Sequence, residues 1–222
     1  MYFYQSVIIK GLQPVSSDVF AHLRARRVRV GDFIKLFDGK GQVGTAKIMV
    51  LDKRKAECDV LSIEKQQPEY QPRLVLGMAK LPTVEFILQK SVEIGVREIL
   101  LLVCENTPIK FNQAVFDQKK ERLERIIITA CEQSENVFMP TLAWRMFSEY
   151  ESDAQTVMLH PYAKEVWSSS NRDNTQVSDV MVGPEGGFTD SEVSCGAKLY
   201  KLNTGILRSD TAAIASLLLC KL

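Results

Sequence analysis

Val180-Met181-Val182-Gly183-Pro184-Glu185-Gly186-Gly187-Phe188 decides how this chain is read. An apolar run feeds a loop dense in glycine, and Thr189 with Glu192 then has the spacing of a capping box that opens a helix. A strand ending in such a loop at a helix start is where open α/β sheets bind ligands. A second strand, Lys198 to Leu202, ends in Asn203-Thr204-Gly205-Ile206-Leu207-Arg208. That loop runs into Asp210–Leu222, which is apolar nearly all round and is therefore expected as a buried helix. Two such loops side by side can enclose one small molecule. The residues themselves leave two readings open, a ligand loop and a plain tight βα turn. The glycines do not follow G-x-G-x-x-G and no Gly-Lys-Ser/Thr follows them, so neither a dinucleotide fingerprint nor a P-loop is present.

Upstream, the rhythm is that of alternating strands and helices, which argues a mostly parallel α/β sheet. Leu74–Ala79 and Ile99–Val103 are buried-type strands, and Pro82–Ile94 is a helix with Val84, Ile87, Leu88 and Val92 on one face and Gly95 at its C-cap. Gln118–Val137 reads as a long helix with Leu123, Ile126, Ile127 and Ala130 inward, and Thr156–Leu159 and Ser178–Val182 as further strands. Ser168–Asn174, rich in Ser and Asn, reads as a mobile loop. Residues 1–64 differ. They hold the short strand candidates Ser6–Ile9, Phe33–Phe37, Gln42–Val50 and Lys55–Ile63, a helix over Ser16–Arg27 capped by Ser16 or Ser17, and an Asp38-Gly39 hairpin signal. A small β-barrel suits strands of this length. The polar, proline-containing segment 65–73 reads as a linker to a second domain, 74–222.

The net charge of +1 hides an asymmetry. Residues 1–73 carry 13 Lys/Arg against 8 Asp/Glu, a balance of +5, and residues 74–222 carry 15 against 19, a balance of −4. Arg24, Arg26, Arg27 and Arg29 form the densest basic cluster, suited to gripping phosphates. The bland reading of the same run is a solvated helix face. Five scattered cysteines without a C-x-x-C pair, and two histidines far apart, argue against a disulfide framework, a zinc site or a local catalytic triad. No metal is expected. No apolar run is long enough to span a bilayer and no signal-peptide core opens the chain, so a cytoplasmic protein is expected.

A set of short motifs, in order along nearly the whole chain, carries a resemblance. They are His22-Leu23-Arg24 with Arg27 and Gly31-Asp32; Leu36-Phe37-Asp38-Gly39; Lys80, Glu85 and Gln89-Lys90-Ser91-Val92-Glu93-Ile94-Gly95-Val96; and Ala130-Cys131-Glu132-Gln133-Ser134 with Pro140. The most specific are Gly183–Phe188 and Ile206-Leu207-Arg208-Ser209-Asp210-Thr211-Ala212. The chain resembles the 16S ribosomal RNA uracil-N3 methyltransferases of the SPOUT superfamily.

That resemblance implies an N-terminal PUA-like β-barrel and a C-terminal SPOUT α/β domain with a deep trefoil knot. It implies S-adenosyl-L-methionine as cofactor, a homodimer, and a uridine of small-subunit ribosomal RNA as substrate. The cofactor loops would be Leu159-His160-Pro161; Gly183-Pro184-Glu185-Gly186-Gly187; and Leu202, Asn203, Ile206, Leu207 and Thr211. Arg208 is expected to stabilise the uracil anion, with pairing to Asp210 or Glu185 as its purely structural alternative. Glu185 is expected as a base or as a brace for its loop. Arg24, Arg27, Lys80, Lys90 and Gln133 would place the RNA. The chain departs from the family pattern at Tyr2-Phe3-Tyr4, Glu135-Asn136, Asn203-Thr204-Gly205 and Asp210, mostly by losing positive charge. The rival readings are a non-catalytic RNA-binding or ribosome-assembly factor on the same scaffold, and a methyltransferase of another RNA.

Overall fold

In the computed structural model, which describes residues 1–167 and 177–220, the chain divides into two units. One comprises residues 1–69 with 128–139, the other residues 70–127 with 140–222.

The first unit is built on a five-stranded sheet. β1 (Tyr2–Tyr4), β3 (Phe33–Phe37), β4 (Gln42–Leu51), β5 (Ala56–Lys65) and β2 (Gly11–Pro14) lie side by side in that order. The β3–β4 turn forms where Asp38-Gly39 marks it: Asp38 Oδ1 accepts the amides of Lys40 and Gln42, while Gly39 and Gly41 take positive φ. α1 (Ser17–Ala25) is capped by Ser16, whose hydroxyl accepts the Val19 amide. It packs Val19 and Leu23 into a core with Phe3, Ile34, Leu36 and Ile48.

The strand expected at Ser6–Ile9 does not form. Its flanks Tyr2–Tyr4 and Gly11–Pro14 enter the sheet instead. Of that apolar run only Ile8 is buried; Val7 and Ile9 are exposed, and the Ile9 amide is taken by the Gln13 side chain rather than by a neighbouring strand.

α3 (Gln113–Ser134) begins earlier and ends earlier than the expected Gln118–Val137. Its last turn belongs to the first unit, where buried Glu132 accepts the Tyr4 amide and lies 3.0 Å from His22 Nδ1. Those bonds give two of the family-motif residues, His22 and Glu132, a structural task.

The second unit is a seven-stranded sheet in which every pairing is parallel. Its order is β10 (Glu165–Val166), β12 (Lys198–Lys201), β9 (Thr156–Leu159), β11 (Asp179–Val182), β6 (Arg73–Gly77), β7 (Glu98–Val103) and β8 (Thr141–Met146). Side chains alternate across it. Leu74, Leu76, Val180 and Val182 face the core containing α2 (Leu81–Ile94) and α5 (Ser209–Leu219), while Val75, Met158 and Met181 face the opposite one.

The β6–β11 pair is pinned at its start. Arg73 donates two hydrogen bonds to Asp179, at 2.8 and 2.7 Å, and the Tyr150 hydroxyl donates a third at 2.5 Å to the same buried carboxylate. Burial, and then that contact, push the Tyr150 phenol well above its ordinary range. α5 is not buried all round as expected. It buries Ala213, Ser216 and Leu217 against α2 and leaves Leu218 exposed. The expected loop at Ser168–Asn174 lies outside the described residues.

Three helices end in the same left-handed turn. Gly95 (φ 96) closes α2, where a missing Cβ makes that conformation easy. Arg27 (φ 56) closes α1, with Val28 N–H on Leu23 O and Arg27 N–H on Arg24 O, and Glu135 (φ 57) follows α3. A side chain in that region costs about 1–2 kcal/mol. Arg27→Gly is expected to raise unfolding stability by about 1 kcal/mol, since part of the relief is offset by a freer unfolded chain. Urea denaturation checks this.

Candidate functional site

β12, β9 and β11 are neighbours and parallel, so their C-terminal ends emerge together. Three loops leave from that edge and line one cavity of about 780 Å³. Residues 159–162 follow β9, residues 183–188 follow β11, and residues 201–209, less Asn203, lead from β12 into α5. This is the volume and position of a small-molecule site in an open α/β sheet.

Backbone shape makes much of the cavity. Pro184 to Gly187 form a tight turn closed by Gly187 N–H on Pro184 O at 2.9 Å, with Gly187 at φ 72. Thr189 caps the short helix α4 (Asp190–Val193), and the capping box with Glu192 is complete. Among the described residues, the amides of Glu185, Gly186, Ile206 and Leu207 have no hydrogen-bond partner. They are donors available to a ligand, beside apolar surface from Leu159, Leu202, Ile206, Leu207 and Ala212. An adenine or nucleoside fits such a set: flat apolar contact with backbone donors at the edge.

Of the sequence-predicted cofactor residues, Leu159, His160, Pro161, Gly183 to Gly187, Leu202, Ile206 and Leu207 line the cavity, while Asn203 and Thr211 do not. Both residues expected to be catalytic also line it. Arg208 is exposed, stands at the N-cap of α5, and has no ion pair among the described residues; Asp210 instead accepts the amide and hydroxyl of Thr211. Glu185 accepts the Thr83 hydroxyl at Oε1, 3.3 Å away, rather than backbone amides.

Sequence reasoning did not single out Tyr162 or Phe188 as lining residues. Tyr162 is 77% exposed and packs edge-on to His160 with ring centroids 5.9 Å apart. An aromatic side chain one residue past His160-Pro161 was the available signal. Cys104 sits behind the glycine loop. Burial, and then the charge of Glu192, push its thiol far above its ordinary range.

The residues expected to place RNA are divided between the units. Arg24 and Arg27 lie at the end of α1 and Gln133 in the last turn of α3, all exposed and all in the first unit. Lys80 is the exposed N-cap of α2, and Lys90, on α2, is paired with Glu93 at 2.8 Å. No group of His, Cys, Asp and Glu able to hold a metal occurs among the described residues, and no helix there is long and apolar enough to cross a membrane.

Comparison with known proteins points one way. The model of the RNA methyltransferase domain family matches residues 66–221, and that of the RNA methyltransferase PUA domain matches residues 15–61. The ribosomal RNA small subunit methyltransferase E of Mesomycoplasma hyopneumoniae is 29% identical over 206 residues, covering 90% of this chain and 89% of that protein. The crystal structure of the Neisseria gonorrhoeae ribosomal RNA small subunit methyltransferase E bound to S-adenosyl methionine matches with a TM-score of 0.84 and 28% identity, over 98% of this chain and 94% of that one. A Legionella pneumophila methyltransferase structure with bound cofactor SAM matches with a TM-score of 0.86 and 28% identity, over 99% and 96%.

The glycine loop has a tight neighbour. A Cβ on Gly77, at the end of β6, would lie 2.5 Å from both Cδ and N of buried Pro184. Gly77→Ala is expected to destabilise by about 1–3 kcal/mol in denaturant unfolding, because Pro184 must move.

Proposed function

Because this chain belongs to the RNA methyltransferase family, we infer that it is an S-adenosylmethionine-dependent methyltransferase of ribosomal RNA. The observation that carries the reading is the cavity where three parallel-strand loops converge, with backbone donors and an arginine at its edge that have no partner among the described residues. The cofactor would be held by Leu159-His160-Pro161, the 183–187 turn and the 202–207 loop. When bound, S-adenosylmethionine supplies a sulfonium-activated methyl group.

The substrate atom we propose is N3 of a uridine in small-subunit ribosomal RNA, a target consistent with the side chains at the cavity. Methylating N3 needs loss of the imide proton, which leaves negative charge on the ring oxygens. Arg208, free of a carboxylate partner among the described residues, stabilises that charge. Glu185, whose Oε1 is tethered by Thr83, offers Oε2 to take the proton. The 74–222 segment, less residues 128–139 of the first unit, does this chemistry, and the basic 1–64 segment, followed by the linker 65–73, holds RNA through Arg24 and Arg27. Gln133, Lys80 and Lys90 add contacts.

The enzyme acts in the cytoplasm as a homodimer, a second copy covering apolar positions of α5 such as Leu218. A knotted C-terminal path through the loops after β9, β11 and β12 is part of the same proposal, on the family resemblance.

Methyl transfer from labelled S-adenosylmethionine to 30S subunits lacking their native methylations tests this, with the nucleoside identified by mass spectrometry. N3-methyluridine at one site is expected. Label on another base or RNA would replace the target, and no label would overturn the activity. Arg208→Ala is expected to lower kcat about 100-fold or more with the fold intact; full turnover by this variant would remove the anion-stabilising role.

A further inference from the structure

The glycine loop is held from behind by a second loop, outside the motifs quoted above. After β7 the chain turns at Cys104-Glu105-Asn106-Thr107, where Cys104 N–H donates to Thr107 Oγ1 at 2.9 Å and Thr107 N–H to Cys104 O at 3.1 Å. Buried Glu192 ties this turn to the helix that the glycine loop enters. One carboxylate oxygen accepts the Glu105 amide at 2.8 Å, and the other accepts the Thr189 amide at 2.9 Å. From the turn, the Asn106 side-chain nitrogen reaches Gly186 O at 3.3 Å and Gly187 O at 3.2 Å.

We propose that Asn106 is a positioning residue for the cofactor loop, fixing the peptide planes of Gly186 and Gly187 so that the turn is set before the cofactor arrives. The inference rests on the cofactor reading above. The Gly186–Gly187 peptide plane is gripped at both ends, its carbonyl by Asn106 and its N–H by Pro184 O. Two adjacent glycines have the widest backbone freedom of any pair, so an unheld turn would have to be ordered on binding, at a cost in affinity. The fit is close: a Cβ on Gly186 would lie 3.0 Å from Asn106 Cβ.

The chemistry is specific to an amide. Two carbonyl oxygens face one side-chain atom, and only a group with two N–H donors satisfies both. A carboxylate of the same size would set oxygen against oxygen. Positioning and simple packing therefore predict opposite orders. If Asn106 only fills space, Asn106→Asp is the milder change and Asn106→Ala the worse. If it holds the carbonyls, Asn106→Asp is worse.

Calorimetric titration of S-adenosylhomocysteine into the full chain decides between them. Binding is expected to weaken about fivefold in Asn106→Ala and about thirtyfold in Asn106→Asp. Both ligand-free variants are expected to melt within about 2 °C of the parent, since Asn106 lies in an exposed turn. A variant that melts earlier is titrated at a temperature where both are folded, and the order of the two affinities still decides. Asn106→Asp binding as tightly as the parent, or more tightly than Asn106→Ala, would overturn the proposal while leaving the cofactor reading intact. A parent protein that does not bind S-adenosylhomocysteine would overturn both.

Discussion

Everything at the candidate site depends on β11 lying between β6 and β9, with all three parallel. That placement brings the C-terminal ends of β9, β11 and β12 to one edge, where their loops enclose a single cavity. The start of β11 is secured by a buried carboxylate, Asp179, which takes three donors from Arg73 and Tyr150. The end of β11 is secured by contact: Pro184 packs where Gly77 has no side chain. Between these two points the strand is buried on both faces, so its register rests on the two ends: a slip of one residue would separate Asp179 from Arg73 and Tyr150 and move Pro184 off Gly77.

Much of the second unit was legible because its signals are local and redundant. Val84, Ile87, Leu88 and Val92 recur at helical spacing ahead of Gly95, and all four are fully buried. Thr189 and Glu192 sit three apart and form the capping box. The strands missed were short or lacked a continuous apolar run. β8 alternates Thr141, Leu142, Ala143, Trp144 and Arg145 at the sheet edge, and β10 has only two residues. The misplaced first strand has a different cause. Val7-Ile8-Ile9 is the most strand-like composition near the N-terminus, yet glutamine side chains satisfy the backbone there, the Ile9 amide through Gln13 and the Ser16 amide through Gln5. Tertiary hydrogen bonds of that sort leave no periodic trace.

The site divides along the same line. Its backbone was readable, since glycines between a buried strand and a cap mark a tight turn, and Gly187 takes positive φ in it. The state of its side chains was not. Arg208 had two candidate partners, Asp210 in the next turn of chain and Glu185 in the glycine loop, and among the described residues the fold gives it neither: Asp210 turns to Thr211 and Glu185 to Thr83. The clasp by Asn106 was invisible for a similar reason, as it joins positions 80 residues apart. Sequence pattern thus located the pocket, and three-dimensional pairing decided which charged groups around it are free to act.

The most direct test is a crystal structure of the full chain with S-adenosylhomocysteine. The account predicts the adenine within the cavity, in contact with backbone of the 159–161, 183–187 and 202–207 loops, with the Arg208 guanidinium beside the open end of the site. Adenine bound elsewhere on the chain, or those three loops left empty at saturating ligand, would contradict it.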